Sequence, residues 1–383
     1  MKVLNKAELK LWVYGGDIQN TPTEPSYILT KTKLSSETTI VFEIAELIKD
    51  YIEVKFDGDY NTLIQSKWVK WTVKRTYKET ATDTHGNEFT NLTSNTYSQH
   101  AIAFRGYGEN SDGINPELSK TLLMSNRVIN NRCGDSLTIP FYNDNNEGVV
   151  EIDYYRDGLV EGVDYFGSAD IFTIAQSLRI NPALDDIITI DKTANTALSS
   201  DNTVGSSETP IFATEFSYLR RDGERKSIPI DCIEECDYPH HKVSFINKFG
   251  VMQDIWFFAK RVDSMSSKRE NYKTTKLDIT NGINYNKSAH QNVYLENQGK
   301  EKFSMSTGFI HESYNEVIKQ LLVSEYVYMY DKNSINPTNG LAFLAVPVTV
   351  ASSEVSLKTR LNDKLVEYTL DFQADSDFIQ SVR

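Results

Sequence analysis

Four residues that can bind zinc lie close together in this sequence: Cys232, Cys236, His240 and His241. Thiolates and imidazoles are the usual ligands of a tetrahedral structural zinc ion. The spacing argues against a site, because Cys-x3-Cys followed directly by His-His crowds all four onto one short strand and its turn. On an extended strand the two cysteines would lie roughly 13 Å apart at ~3.3 Å per residue, too far for two zinc–sulfur bonds of ~2.3 Å. Only a sharp turn at Glu234-Glu235 would rescue the site. We therefore predict no metal, with the cysteines packed beside a turn at Pro239 and the histidines at the surface.

Two further patterns resemble binding loops and fail on their spacing. Asp57, Asp59 and Asn61 alternate like the first ligands of a calcium loop, but Thr62 and Trp68 stand where that loop needs glycine and glutamate. We interpret this segment as a turn. Gly106-Tyr107-Gly108 begins like a dinucleotide loop, yet Ser111 replaces its third glycine. A bulge or tight corner in a β layer is the favoured interpretation of these glycines.

No catalytic motif is recognisable in the chain. The sequence has no Gly-x-Ser-x-Gly elbow, no phosphate loop and no His-Glu-x-x-His helix. Acid pairs are uninformative because the chain has 53 Asp and Glu residues and only their separation in space would identify a glycosidase pair. We predict that the protein is not an enzyme and needs no cofactor.

The tyrosines are the best candidates for a contact surface. Alternation in the segment 326–330 places Tyr326, Tyr328 and Tyr330 on one face of a strand. Tyrosine is enriched in protein interfaces, so an interface or a half-exposed sheet face is favoured over the core. Tyr107, on a predicted loop, is a fourth interface candidate, and stacking on a sugar ring is the alternative role for these side chains.

Charge and composition restrict the partners and the compartment. The formal charge of −13 and the pI of about 5.1 disfavour a general nucleic-acid binder, because phosphate contacts need clustered Lys and Arg. The start of the chain lacks the apolar run of a secretory signal, and no stretch approaches ~18 apolar residues, so no membrane span is expected. Three cysteines are too few for a disulfide framework and suit a reducing compartment.

Periodicity predicts a mainly β fold of antiparallel sandwich or split-barrel domains with one or two amphipathic helices packed on the sheets. Val69, Trp71 and Val73 alternate with polar residues, as in a half-buried strand. Helical spacing of apolar residues predicts helices near 42–52 and 312–324. Asn362-Asp363 predicts the turn of a closing hairpin.

Changes in composition predict four segments. These are an N-terminal assembly domain (1–135), a small inserted β module (136–192), a linker or exposed loop (193–210) and a C-terminal β domain (211–383).

Several sequence blocks resemble a known family. Val243–Gly250, Asp254–Phe258, Tyr314–Leu322 and Leu361–Tyr368 are similar to blocks in tail-region structural proteins of phages and prophages of Bacteroidota. Shorter matches in the N-terminal half are Phe104–Gly108, Asp112–Pro116 and Ser125–Arg127. The segment 136–210 resembles no recognisable family.

The resemblance implies a virion protein of the tail tip or baseplate that is made in the host cytoplasm. It implies contacts with copies of itself in a closed ring and with other tail proteins. A receptor- or carbohydrate-binding tail module that contacts a host surface glycan is one alternative, and a neck or tail-tube protein is another. The resemblance implies no catalytic residue.

Overall fold

The computed structural model confirms a mainly β chain with antiparallel sheets. It describes residues 2–378 apart from 16–19, 55, 57, 59–65, 83, 86–87, 114–122, 133–135, 144–148, 157–158, 166–185, 194–214, 221–224, 234–236, 275–276, 279–281, 283, 286–287, 289, 332–343 and 360–364.

The described elements are two helices and twenty strands. The helices are α1 (Ala45–Lys49) and α2 (Tyr314–Val323). The strands are β1 (Lys2–Tyr14), β2 (Tyr27–Thr32), β3 (Ser66–Thr82), β4 (Glu88–Phe104), β5 (Ile129–Arg132), β6 (Ser136–Asn143), β7 (Val149–Arg156), β8 (Leu159–Tyr165), β9 (Asp186–Thr193), β10 (Glu215–Arg220), β11 (Arg225–Ile233), β12 (His241–Ile246), β13 (Met252–Phe257), β14 (Arg261–Lys273), β15 (Leu277–Asp278), β16 (Asn284–Tyr285), β17 (Asn292–His311), β18 (Val327–Asp331), β19 (Leu344–Val350) and β20 (Leu365–Ala374).

These strands form five sheets. Their orders are β2-β1-β3-β4, β5-β11-β10-β7-β8, β13-β12-β18-β19-β20-β17-β14, β15-β16 and β6-β9.

The chain divides into two compact units. Unit 1 comprises residues 1–125, 134–230 and 246–253, and unit 2 comprises 126–133, 231–245 and 254–383. Residues 215–230 therefore fall in unit 1 together with strands β6 to β9. The physical reason is strand pairing, because β10 pairs with both β7 and β11. The predicted linker 193–210 and the Asn362-Asp363 turn lie outside the described residues.

In unit 1, β1 and β3 are the central strands of a four-stranded sheet. From Ala7 to Val13 the odd-numbered side chains of β1 form one face, where Leu11 and Val13 pack with Val69 and with α1. The predicted alternation in β3 is therefore present. The other face is also covered at one end, where Tyr14 and Trp68 are each 7% exposed.

The first predicted helix forms but is shorter than expected. Helix α1 has only five residues and its N-cap Ile44 makes no side-chain cap bond. Ile48 is buried, and Ile44 and Leu47 pack beside it. The helical pattern ends because the apolar positions change to a period of two, with Ile52, Val54 and Phe56 buried, which is the spacing of extended chain.

The core of unit 2 lies between α2 and one face of the seven-stranded sheet. Tyr314, Val317, Ile318 and Leu321 of α2 are buried against strand residues that include Phe245 and Phe372. The second predicted helix is thus confirmed, beginning at Tyr314 and ending at Val323. Its apolar stripe covers the sheet, as the spacing indicates.

Candidate functional site

A buried ion pair lies on two neighbouring strands of unit 2. Lys242 on β12 places its Nζ 3.2 Å from Oδ2 of Asp254 on β13, and their side chains are 8% and 10% exposed. Moving two charges out of water costs several kcal/mol per ion unless their geometry compensates. Such a pair therefore needs further polar partners.

Ser244 and two aromatic rings supply those partners. The Ser244 hydroxyl donates to Oδ1 of Asp254 over 2.5 Å. The Lys242 ammonium lies 4.2 Å from the centre of the Tyr330 ring and 6.0 Å from that of Trp256. Cation–π contacts of this kind are strongest when the cation is desolvated.

The cluster is anchored further by a buried asparagine. The Trp256 indole donates from Nε1 to Oδ1 of Asn131 over 3.0 Å. Lys242, Ser244 and Trp256 occupy the sheet face opposite the core residues Val243 and Phe245, so this sheet is buried on both faces here. Ser244 is 0% exposed, and a serine nucleophile would have to meet its substrate. The geometry therefore fits a structural role.

The sequence did not identify this cluster. In the run Lys242-Val-Ser-Phe245, alternation alone would place lysine and serine on a wet face. The one hint in the sequence is that β13 carries Asp254 and Trp256 at positions that share a face. Exposed strands show the same combination, so it does not predict burial.

The three predicted interface tyrosines do not share one environment. Tyr330 is buried at 5% exposure beneath Lys242, whereas Tyr326 and Tyr328 are half-buried. Burial raises the pKa of Tyr328, and the nearby Tyr326 adds to the rise. Tyr330 thus contributes to the buried cluster, and the interface role of all three tyrosines stays a prediction.

Tyr107 lies at a tight corner of unit 1. Its backbone N–H donates to the Lys248 carbonyl over 2.9 Å, and its side chain is half-buried. A Cβ on Gly106 would lie 2.8 Å from that same carbonyl, and a Cβ on Gly250 would lie 2.5 Å from the Gly106 nitrogen. The glycines thus permit close backbone approach, as the corner interpretation requires.

A buried asparagine holds the adjoining turn. Asn247 donates to the Leu123 carbonyl over 2.6 Å and to Oε1 of Gln253 over 2.9 Å. Its Oδ1 accepts the N–H of Phe249 over 2.9 Å. Asn247 is 0% exposed, and these bonds satisfy its amide.

The structure corrects the expected position of one histidine in the thiol and imidazole cluster. His240 is not at the surface but is 6% exposed. Its Nδ1 lies 3.2 Å from the Tyr238 carbonyl, and its ring meets the Phe258 ring edge-on at 5.6 Å. His241 is half-buried. Cys236 and the Cys232 side chain lie outside the described residues.

The calcium-like pattern also falls largely outside the described residues. Asp57, Asp59 and Asn61 are not described, but Gly58 between them has a φ of 102°. That conformation suits glycine and is typical of a turn.

A long two-stranded ribbon extends from the seven-stranded sheet. Residues 302–305 of β17 pair with both β14 and β20. Among the described strands, residues 292–301 of β17 pair only with residues 265–273 of β14, and the Phe378 N–H donates to the Gly299 carbonyl over 2.9 Å. We call these two segments the ribbon. All twelve β14 residues after Arg261 are exposed, and Met265, Tyr272 and Leu295 are 54%, 48% and 72% exposed.

Within the described part of the chain, no helix is long and apolar enough to cross a membrane. The described side chains also contain no group of three or more His, Cys, Asp or Glu that could hold a metal ion. Comparison with protein-family models, with curated proteins and with solved structures finds no match.

Proposed function

We propose that this protein is a structural subunit of a bacteriophage tail, in the tail tip or baseplate, that acts through protein–protein contacts and has no enzymatic activity. The observation that carries the assembly role is the ribbon. A two-stranded ribbon is marginally stable in water on its own. Among the described residues β14 is an edge strand of the seven-stranded sheet, and exposed apolar side chains lie beside it on the ribbon; both features favour contact with another chain. A neighbouring protein that covers the ribbon would pair with the strand edge and bury the apolar side chains.

The tail assignment is supported by where the family-like blocks lie. Val243–Gly250 contains most of β12 and the turn after it, Asp254–Phe258 contains most of β13, and Tyr314–Leu322 is nearly all of α2. These elements supply much of the unit 2 core. Blocks that form a core determine a fold and supply no catalytic residue, which supports an assembly role.

The test is to locate the chain in virions. An antibody against the protein should label the distal end of purified particles, and the protein should be present there in several copies per particle by quantitative mass spectrometry. Absence from intact particles would overturn the proposal.

A variant pair tests the ribbon itself. Met265→Lys with Leu295→Lys should lower incorporation into particles, because two charges would have to be desolvated in the contact. Val323→Lys changes a side chain that is 62% exposed on α2 and should incorporate normally. Equal incorporation of both variants would remove the ribbon from the assembly contact.

A further inference from the structure

One face of the four-stranded sheet in unit 1 carries a row of lysines, although the chain is acidic. The pairing registers place on this face Lys6 and Lys10 of β1 and Lys70, Lys74 and Lys78 of β3. Glu8 is the only acid among the described side chains that the registers place there. The surface thus carries five positive charges against one negative charge in a chain of net −13. We call this surface the basic face.

The lysines of the basic face alternate between two neighbouring strands. Those of β3 are four positions apart, and those of β1 lie opposite Thr72 and Thr76, midway between them. Successive lysines are therefore spaced by about 6.6 Å along the strand direction, and the row extends over about 26 Å. A row of this form matches a linear polymer that repeats a negative charge along its length.

The charges of the row are accessible. Lys74 and Lys78 are exposed, and the other three lysines are half-buried. The ammonium of Lys70 lies 5.7 Å from the centre of the Trp12 ring. None of the five lysines forms an ion pair with a described residue. An anion could therefore bind them without first displacing a described carboxylate.

Hydroxyl side chains lie between and beside the lysines. Thr30, Thr32, Thr96 and Ser98 are exposed on the basic face. The hydroxyl of Thr72 donates to that of Ser98 on the neighbouring strand over 3.4 Å. Each hydroxyl can both donate and accept a hydrogen bond, as the hydroxyls of a sugar do. The face thus combines positive charge with groups that complement a sugar.

This combination favours an acidic polysaccharide over nucleic acid. A site for single-stranded nucleic acid places aromatic rings among its basic residues, so that bases can stack on them. The aromatic side chains of this face, which include Tyr14 and Trp68, cluster instead at its buried end. Double-stranded nucleic acid carries one charge per ~1.7 Å, and a chain of net −13 would repel so dense a charge outside the row. A polysaccharide with one acid group per sugar or disaccharide is less densely charged.

We propose that the basic face binds a linear acidic polysaccharide. Its lysines pair with carboxylate or sulfate groups, and its threonines and serines form hydrogen bonds with sugar hydroxyls. This inference goes beyond the proposed function, because it gives the protein a ligand in addition to its protein contacts, and it does not depend on that function.

Titration with defined polymers tests the site. The purified full-length protein is titrated by calorimetry with an oligogalacturonate, a heparin-derived oligosaccharide, a neutral dextran and a polyglutamate of similar length. Wild type should bind at least one of the two acidic oligosaccharides, and more weakly as NaCl screens the charges. It should bind the dextran and the polyglutamate at least about tenfold more weakly, because the first lacks the charge and the second lacks the sugar hydroxyls. The comparison of the two acidic oligosaccharides identifies the preferred anion.

Two charge-reversal variants locate the site. Lys74→Glu with Lys78→Glu should weaken oligosaccharide binding by at least about tenfold, because two attractions become repulsions. Lys268→Glu with Lys273→Glu makes the same change of net charge at exposed positions of β14 and should leave binding unchanged. Circular dichroism confirms that each variant is folded.

A third variant tests the hydroxyl contacts. Thr30→Val with Thr96→Val keeps every charge and the β-branched shape, and it should weaken oligosaccharide binding by about threefold. Its affinity for polyglutamate should equal that of wild type. Equal affinity of this variant and wild type for the oligosaccharide would contradict the sugar contacts.

Several results would overturn the proposal. One is wild-type binding of neither acidic oligosaccharide, and another is an equal effect of the two charge reversals, since net charge alone would then explain the binding. Tighter binding of polyglutamate, of oligothymidine DNA or of phosphatidylserine vesicles through Lys74 and Lys78 would assign the face to an acidic protein, a nucleic acid or a membrane. The tail proposal is tested separately, by the location of the chain in virions, and stands or falls independently of these results.

Discussion

The Nζ of Lys242 lies 3.2 Å from Oδ2 of Asp254, and the two side chains are only 8% and 10% exposed. At this burial the two charges depend on each other, because neither can regain its hydration while the strands stay paired. A pair of this kind adds little net stability over apolar residues, but removing one partner leaves an uncompensated buried charge.

Asp254→Asn should therefore destabilise the protein by about 3–5 kcal/mol. Asparagine keeps an oxygen that can accept the Ser244 hydrogen bond, so the lost free energy of unfolding measures the effect of removing the charge. Adding Lys242→Met should recover part of the lost free energy of unfolding, because it removes the buried ammonium that has no carboxylate partner. Chemical denaturation followed by circular dichroism measures both. A double variant that loses the sum of the single effects would contradict the coupling.

The surface pair on α2 is the control for this experiment. Lys319 and Glu316 approach to 3.1 Å with side chains 50% and 26% exposed. Glu316→Gln should change the free energy of unfolding by less than about 1 kcal/mol, since exposed pairs are well screened.

Gly250 should be intolerant of alanine. Its φ is 76°, and a Cβ there would lie 2.5 Å from the Gly106 nitrogen and 2.7 Å from the Arg105 carbonyl carbon. Gly113 has a similar φ of 69°, but no described atom lies within 4 Å of its Cβ position. Gly113→Ala should cost roughly 1–2 kcal/mol from backbone strain alone, and Gly250→Ala should cost more. If thermal unfolding showed the same loss of stability for Gly113→Ala and Gly250→Ala, the close backbone approach at Gly250 would contribute nothing.

Local periodicity correctly predicted an element when the spacing of its own apolar residues determines which face is buried. The stripe Tyr314, Val317, Ile318 and Leu321 determines both the helix and its buried face. The same rule failed for Lys242 and Ser244, because alternation reports which residues share a face and not whether that face is covered. A second layer that includes Asn131 covers it, and that layer comes from a distant part of the chain.

Each of the two units is built from segments that are not contiguous in the sequence, and local signals do not encode such a grouping. Residues 126–133 and 246–253 each lie in a different unit from most of their sequence neighbours. Phe216 pairs with Tyr154, which lies 62 positions earlier in the sequence. Local composition and periodicity do not specify a strand pairing over this distance. They can therefore suggest where a segment begins and ends, but not which segments pack together.

The core contact of α2 should dominate the stability of unit 2. Leu321 is 0% exposed, and Leu321→Ala should cost about 2–5 kcal/mol through lost burial and the cavity left behind. Val323, two positions further on, is 62% exposed, and Val323→Ala should fall within about 0.5 kcal/mol of wild type. Urea denaturation measures both variants. A small effect at Leu321 would contradict the packing of this helix on the sheet.

Tyr314 should make stability depend on alkaline pH. Burial raises its pKa above the ordinary value of 10.0, and the hydrogen bond from the Asn130 N–H offsets part of the rise. The folded protein therefore holds this proton more tightly than the unfolded chain does. Its contribution is complete below pH 10.0 and is lost as pH rises through the folded-state pKa, at up to ~1.4 kcal/mol per pH unit.

Tyr314→Phe separates this contribution from those of the other tyrosines. Below pH 10 the variant should be less stable than wild type by about 1 kcal/mol, because the Asn130 N–H loses its acceptor. Above pH 10 the difference in stability between the variant and wild type should shrink. Unfolded wild type has then lost the Tyr314 proton and must take it up again to fold, which destabilises wild type only. Tyr272→Phe removes a tyrosine that is 48% exposed and should parallel wild type throughout. A difference between Tyr314→Phe and wild type that stays constant from pH 8 to pH 11 would show that the buried phenol does not set this dependence.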